Sequence, residues 1–248
     1  MQSKPVLYLR SLLFWLGFIP NTIFFGSLVV LFFYVSRGFP LEMARRWSLT
    51  NTFLLKYFCG ITHTVEGQEN LKKVDTAIIL SKHQSTWETL VLHSITPYPH
   101  WVFKRELMLI PIFGWALALS DPIAVHRGAG RAAIKQLLDK GIEKLNQGKW
   151  IILFPEGTRT APGTTHKYKI GGALLAEKSG YPVIPIAHNA GEFWPRHSFI
   201  KWPGNISVVI GPAIETSGKS ADVINKEVYD WIEGTMTKIS DSSRWNRK

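Results

Sequence analysis

The stretch Lys82-His83-Gln84-Ser85-Thr86-Trp87-Glu88 follows directly on the apolar run Thr76–Leu80 and holds residue types that can move a proton. A histidine titrates near neutral pH and can take a proton from a hydroxyl. A carboxylate five residues on can hold its second ring nitrogen and fix the tautomer. On one straight helix the two side chains would diverge by about 140°, since each residue turns about 100°. They meet if His83 stays in a loop and Glu88 lies in the first helical turn. Ser85-Thr86-Trp87-Glu88 supplies that start as a capping box, with Ser85 as N-cap and Glu88 at the third helical position. Glu88 then has two readings, a backbone cap for Ser85 or an orienting partner for His83, and this stretch alone does not decide between them.

A second polar cluster follows another apolar run. Trp150–Phe154 leads into Pro155-Glu156-Gly157-Thr158-Arg159. Gly157 permits a tight turn, and Arg159 offers a planar fork suited to a phosphate or carboxylate. No G-x-S-x-G elbow is present, and the single cysteine, Cys59, reads as a small buried apolar residue. The histidines form no H-E-x-x-H or comparable ligand set, so no metal site is expected.

These clusters need elements to position them. Strand patterns fall at 77–80, 101–103, 122–125, 150–154, 183–187 and 206–210, with helical patterns at 131–146, 172–178 and 221–239. Alternating strands and helices predict an α/β fold, a largely parallel sheet flanked by helices. In such a sheet functional residues gather at the carboxyl ends of the strands, where both clusters lie.

The N-terminus has a different character. Residues 11–35 contain no charged side chain, which is long enough to cross a bilayer core, a distance of about 20 helical residues. Pro20-Asn21 would kink or break a helix there, leaving one bent span or two short helices that enter one leaflet and return. Residues 41–58 mix basic and apolar positions, as an interfacial helix or an ordinary amphipathic core helix would. The division expected is residues 1–58 as a membrane-embedded and interfacial helical segment and 59–248 as an α/β domain. Lys and Arg outnumber Asp and Glu by 29 to 18, which favours an anionic partner. The uncharged N-terminus makes that partner a lipid bilayer and not a nucleic acid. The basic flanks put the body on the cytoplasmic side, which for a prokaryote is the inner membrane. The basic tail from Ser242 reads as frayed, or resting on headgroups.

Together these residues resemble the 1-acyl-sn-glycerol-3-phosphate acyltransferase family of glycerolipid acyltransferases. That family pairs a histidine with an acidic residue five positions on, here His83 and Glu88, and carries a downstream Glu-Gly-Thr-Arg, here Glu156, Gly157, Thr158 and Arg159. Its basic-apolar middle block is similar to FKRELMLIPIFGWAL from Phe103, and its later Gly-Gly and Val-Ile-Pro segments to YKIGGALLAEKSGYPVIPIA. The family's usual acid is Asp, and this chain has Glu. The resemblance implies acyl transfer from acyl-CoA or acyl-carrier protein to the sn-2 hydroxyl of lysophosphatidic acid, without a cofactor. His83 would be the base, with Glu88 stabilising its imidazolium. Arg159 would grip the acceptor phosphate with help from Lys104 and Arg105, Gly157 and Thr158 would shape the turn, and Glu156 would brace the arginine. Residues 107–119 would wall an acyl chain, and Lys169 with Gly171-Gly172 could bind an anion at a helix start. The alternatives are another lysophospholipid or lyso-aminolipid as acceptor, or a non-catalytic membrane module that binds anionic lipid.

Overall fold

The computed structural model describes residues 3–245. Seven strands, β1 (Ile61–Glu66), β2 (Ile78–Ser81), β3 (Pro99–Lys104), β4 (Ile123–Val125), β5 (Trp150–Leu153), β6 (Val183–His188) and β7 (Gly204–Ile210), form one sheet in the order β1-β7-β6-β2-β5-β3-β4. Every pairing is parallel except β6 with β7. The α/β reading holds, and β1 is a strand the apolar patterns did not reveal. Its sequence Ile-Thr-His-Thr-Val-Glu lies at the sheet edge and is only half buried, so it lacks the continuous apolar run of the inner strands.

The inner strands are buried on both faces, and successive residues feed two separate cores. Ile79 and Ile152 pack beneath the helices α1 (Lys4–Phe32), α2 (Phe39–Leu54) and α3 (Trp87–Ile95). Ile78, Leu80, Ile151 and Leu153 face the opposite layer, α5 (Arg131–Asn146), α6 (Gly171–Ser179) and α7 (Ala221–Ile239). Gly172 lets α6 approach that face, since a Cβ there would lie 2.7 Å from a Leu80 methyl.

The apolar N-terminus is one helix, and Pro20 does not split it. Proline removes one helical hydrogen bond and clashes with the preceding turn, a cost of about 3 kcal/mol. Packing on both sides of Pro20 offsets that cost. Towards the N-terminus Phe14 is fully buried, Ser11 Oγ accepts the Lys201 N–H at 2.9 Å, and Arg10 Nε donates to the Phe58 carbonyl at 2.5 Å. The buried Lys201 Nζ lies 4.0 Å from the Trp15 ring centroid and 4.6 Å from that of Trp194, and donates to the Phe199 carbonyl at 2.8 Å. Towards the C-terminus Gly26 meets Ile112, which precedes the short α4 (Phe113–Leu119). Ile112 has φ 62° and ψ −61°, and Phe113 N–H donates to the Pro111 carbonyl at 2.7 Å. That is a γ-turn in its strained mirror form.

The chain turns at 33–38 and α2 returns along α1, so both residues 11–35 and residues 41–58 belong to a helical hairpin seated on the α/β body. One face of α2 is buried through Met43, Ser48 and Asn51, while Leu49, Phe53 and Tyr57 are exposed. On α1, Leu9, Leu12, Leu16, Ile19, Ile23, Phe24 and Leu31 are exposed as well. At the other end of the chain, Ser242–Arg244 form a short turn, Arg244 lies over the Phe193 ring, and Trp245 Nε1 donates to Glu192 at 3.4 Å. The tail is therefore docked through Trp245, and residues 246–248 lie outside the described residues.

Candidate active site

Register brings the two polar clusters together. Leu80 on β2 pairs with Leu153 on the adjacent parallel β5, so the residues three positions beyond each, His83 and Glu156, leave the sheet side by side. Strand β3 neighbours β5 and delivers Trp101, Phe103 and Lys104 to the same edge.

His83 and Glu88 are in direct contact. The His83 Nδ1 to Glu88 Oε1 distance is 2.8 Å. An ionised carboxylate only accepts, so Nδ1 carries the proton and Nε2 is the ring nitrogen left for a substrate. Glu88 also accepts the backbone N–H groups of Gln84 at 2.9 Å and of Ser85 at 2.8 Å, while Ser85 Oγ accepts the Trp87 N–H at 3.1 Å. The helix begins at Trp87 with Thr86 in the cap position, one residue later than the capping-box reading, yet Ser85 supplies the capping oxygen. One carboxylate thus caps the backbone and holds the imidazole, and the two readings of Glu88 are not exclusive. Complete burial works to raise its pKa, but His188, His83 and the Ser85 N–H outweigh it and hold the carboxyl below its ordinary value. The His83 ring stacks on Phe154, centroids 3.9 Å apart and planes within 8°.

Glu156 does not brace Arg159. Its Oε2 accepts the His83 N–H at 2.6 Å, and its Oε1 meets Lys82 Nζ at 2.7 Å and Thr160 Oγ1 at 3.0 Å. The motif reading looked along the sequence to the neighbouring arginine, whereas strand pairing turns the carboxylate towards β2. Arg159 Nη1 donates instead to Thr86 Oγ1 at 2.9 Å, at the start of α3. Gly157, with φ 70°, makes the turn, and a Cβ there would fall 2.7 Å from Lys169 Cε. Lys169 therefore arches over the turn. Thr158 is exposed, and its Oγ1 accepts from Arg196 Nη1 at 3.3 Å.

An apolar cavity of about 320 Å³ opens at His83 and Arg159. Its walls include Phe25, Gly26 and Val29 of α1, Met43 and Trp47 of α2, Leu107, and Phe113 and Leu117 of α4. Lys104 is an exposed residue on its rim, 3.4 Å from Glu106 Oε1, while Arg105 is exposed and does not line it. His93 also lines the cavity, and burial pulls its pKa down to about 4. Sequence reasoning missed Thr86, Thr160, Lys82 and His188 as partners of the two motifs. His188 Nε2–H donates to the Lys82 carbonyl at 2.8 Å, a contact 106 residues apart that no local pattern encodes. Thr86 was within reach, because it adjoins the capping serine.

Known proteins share this arrangement of elements. A family model described as Acyltransferase matches residues 62–189. A 1-acyl-sn-glycerol-3-phosphate acyltransferase of Pseudomonas aeruginosa is 40% identical over 240 residues, which cover 94% of this chain and 92% of that protein. A chloroplastic 1-acyl-sn-glycerol-3-phosphate acyltransferase of Arabidopsis thaliana is 33% identical over 69% of this chain, which spans only 48% of the plant protein. In fold, the crystal structure of the 1-acyl-sn-glycerophosphate (LPA) acyltransferase PlsC from Thermotoga maritima is similar with a TM-score of 0.78 at 23% identity, over 96% of this chain and 97% of that one. On the Acyltransferase match and the near full-length Pseudomonas relative, the chain belongs to the 1-acyl-sn-glycerol-3-phosphate acyltransferase family.

Proposed function

We propose that this protein transfers a fatty acyl group from acyl-CoA or acyl-carrier protein to the sn-2 hydroxyl of 1-acyl-sn-glycerol 3-phosphate, giving phosphatidic acid without a cofactor. The observation that carries this reading is the His83–Glu88 pair at the mouth of an apolar cavity that also holds Arg159. With Nδ1 committed to Glu88, His83 Nε2 takes the proton of the acceptor hydroxyl as its oxygen attacks the thioester carbonyl. The tetrahedral intermediate collapses, the C–S bond breaks, and the thiolate leaves. The imidazolium, stabilised by Glu88, returns its proton to the thiolate or to solvent. Arg159 and Lys104 bind the acceptor phosphate, and the cavity takes an acyl chain.

The exposed apolar side chains of the α1–α2 hairpin enter one leaflet, and the basic residues Arg37, Arg45, Arg46 and Lys56 meet the headgroups. Because α2 returns to the body, the hairpin leaves the α/β domain on the side it entered from, which is the cytoplasmic face of the inner membrane in a bacterium. The reading is tested by supplying the purified full chain in mixed micelles with a labelled acyl donor and a panel of lysolipids, and separating the products by thin-layer chromatography. The expected product is phosphatidic acid, formed with lysophosphatidic acid in clear preference to lysophospholipids bearing a larger headgroup. Product from other lysolipids only would overturn the acceptor assignment.

A further inference from the structure

Behind the imidazole lies a buried charge network that the acyl-transfer chemistry itself does not use. Successive residues leaving a strand point to opposite sides. As His83 faces the cavity, Lys82 points back beneath it and is 1% exposed. Its Nζ meets Glu156 Oε1 at 2.7 Å and Glu233 Oε1 at 2.8 Å. Glu233 comes from α7, 151 residues away in sequence, and its Oε1 also accepts the Tyr168 hydroxyl at 2.8 Å.

Glu156 passes this charge on to the backbone of His83. Its two oxygens receive donors from the His83 N–H, Lys82 Nζ and Thr160 Oγ1. Thr160 in turn donates its N–H to the His83 carbonyl at 2.8 Å. Both polar backbone groups of His83 therefore depend on the Glu156–Thr160 pair. The His83 N–H and the Lys82 ammonium can only donate, so the ionised carboxylate accepts from both at once, while the Thr160 hydroxyl lies within reach of Glu156 Oε1 and, at 3.2 Å, of the His83 carbonyl. Burial works against ionisation and pushes the Glu156 carboxyl up, with Lys82 opposing it. The ammonium is in turn shared with Glu233, which fixes its position from the far side.

We propose that Lys82 and Glu233 are positioning residues for acyl transfer: Glu233 on α7 seats the Lys82 ammonium, Lys82 keeps Glu156 ionised, and Glu156 fixes the His83 backbone so that Nε2 points into the cavity. The proposal rests on His83 being the base. It assigns α7 a part in orienting His83, whose other positioning carboxylates, Glu88 and Glu156, come from α3 and the loop after β5.

The test compares full-length Lys82→Met, Lys82→Arg, Glu233→Gln and wild type in mixed micelles. Steady-state kinetics over pH are combined with amide hydrogen exchange of the segment 82–86, read by mass spectrometry. Lys82→Met is expected to lower kcat at least tenfold with little change in KM for either substrate. The acid limb of its kcat profile should move upward as Glu156 takes a proton, and exchange in the segment should quicken. Glu233→Gln keeps an acceptor for Tyr168 but loses the charge, and should show the same changes to a smaller degree. Lys82→Arg should recover part of the loss. A folded Lys82→Met or Glu233→Gln protein with wild-type kcat, acid limb and exchange overturns the proposal. If Lys82→Met does not fold, Glu233→Gln decides alone. The exchange readout requires no substrate, so a wild-type enzyme that fails to acylate lysophosphatidic acid would refute the function without being mistaken for a failure of the network.

Discussion

Glu88 shows how one side chain can serve backbone and chemistry together. The longer Glu side chain, in place of the family's usual Asp, reaches back far enough to take the Gln84 and Ser85 N–H groups while touching His83. Gln can also cap, so Glu88→Gln should keep the start of α3 but remove the charge that stabilises an imidazolium. We expect turnover to fall by one to two orders of magnitude, about 1.4–2.8 kcal/mol in the barrier, with the melting temperature nearly unchanged. Unchanged turnover with normal stability would leave Glu88 as a cap only. The placement that lets His83 and Glu88 meet was legible in the sequence because a capping box after an apolar strand sets both backbone positions, although that stretch alone left Glu88 open between cap and partner. The role of Glu156 was not, because its partners Lys82 and His83 lie just beyond the neighbouring strand β2, and only the pairing of Leu80 with Leu153 puts them in reach.

At the scale of elements, the six apolar strands and three helices were legible because continuous apolar runs and helical spacing are local signals. The edge strand β1 and the short α4 escaped, the first for want of apolar residues and the second because it merges with a uniformly apolar block. Of the two forms that Pro20 left open, the single helix is the one found, since tertiary packing on both halves of α1 outweighs one lost helical bond. This has a consequence for testing the anchor. Removing the hairpin would take Phe14 out of the main core, so deletion confounds folding with membrane binding. Point changes separate the two. Leu16 and Ile23 are 62% and 48% exposed, and replacing both with Asp should release the protein into soluble fractions at high salt without lowering its melting temperature in detergent. Phe14→Ala should do the reverse, costing roughly 3–5 kcal/mol of stability while leaving the exposed face intact. Full membrane retention of the Leu16→Asp/Ile23→Asp protein would mean that the bilayer contact lies elsewhere.

Across the whole molecule, burial leaves a common electrostatic signature. His63, His93, His100 and His188 all have pKa values lowered by burial, His93 to about 4. A histidine with a depressed pKa binds its proton in the unfolded chain first. Stability therefore falls as pH drops from about 6.5 towards the folded values. For His93 alone the full shift corresponds to roughly 3 kcal/mol. Urea denaturation in detergent should show clearly lower stability at pH 5 than at pH 7, and His93→Gln should flatten that slope. An equal slope in the variant would mean that His93 is protonated in the folded protein.

In the proposed mechanism His83 takes the proton of the acceptor hydroxyl at the head of the cavity. Turnover of His83→Ala, measured with lysophosphatidic acid and a thioester donor alongside its melting temperature, tests this most directly. Loss of a general base costs on the order of 10²–10⁴ in rate, so kcat should fall by at least that lower figure while the protein stays folded. A folded His83→Ala enzyme turning over within a few-fold of wild type would mean that another group takes the hydroxyl proton.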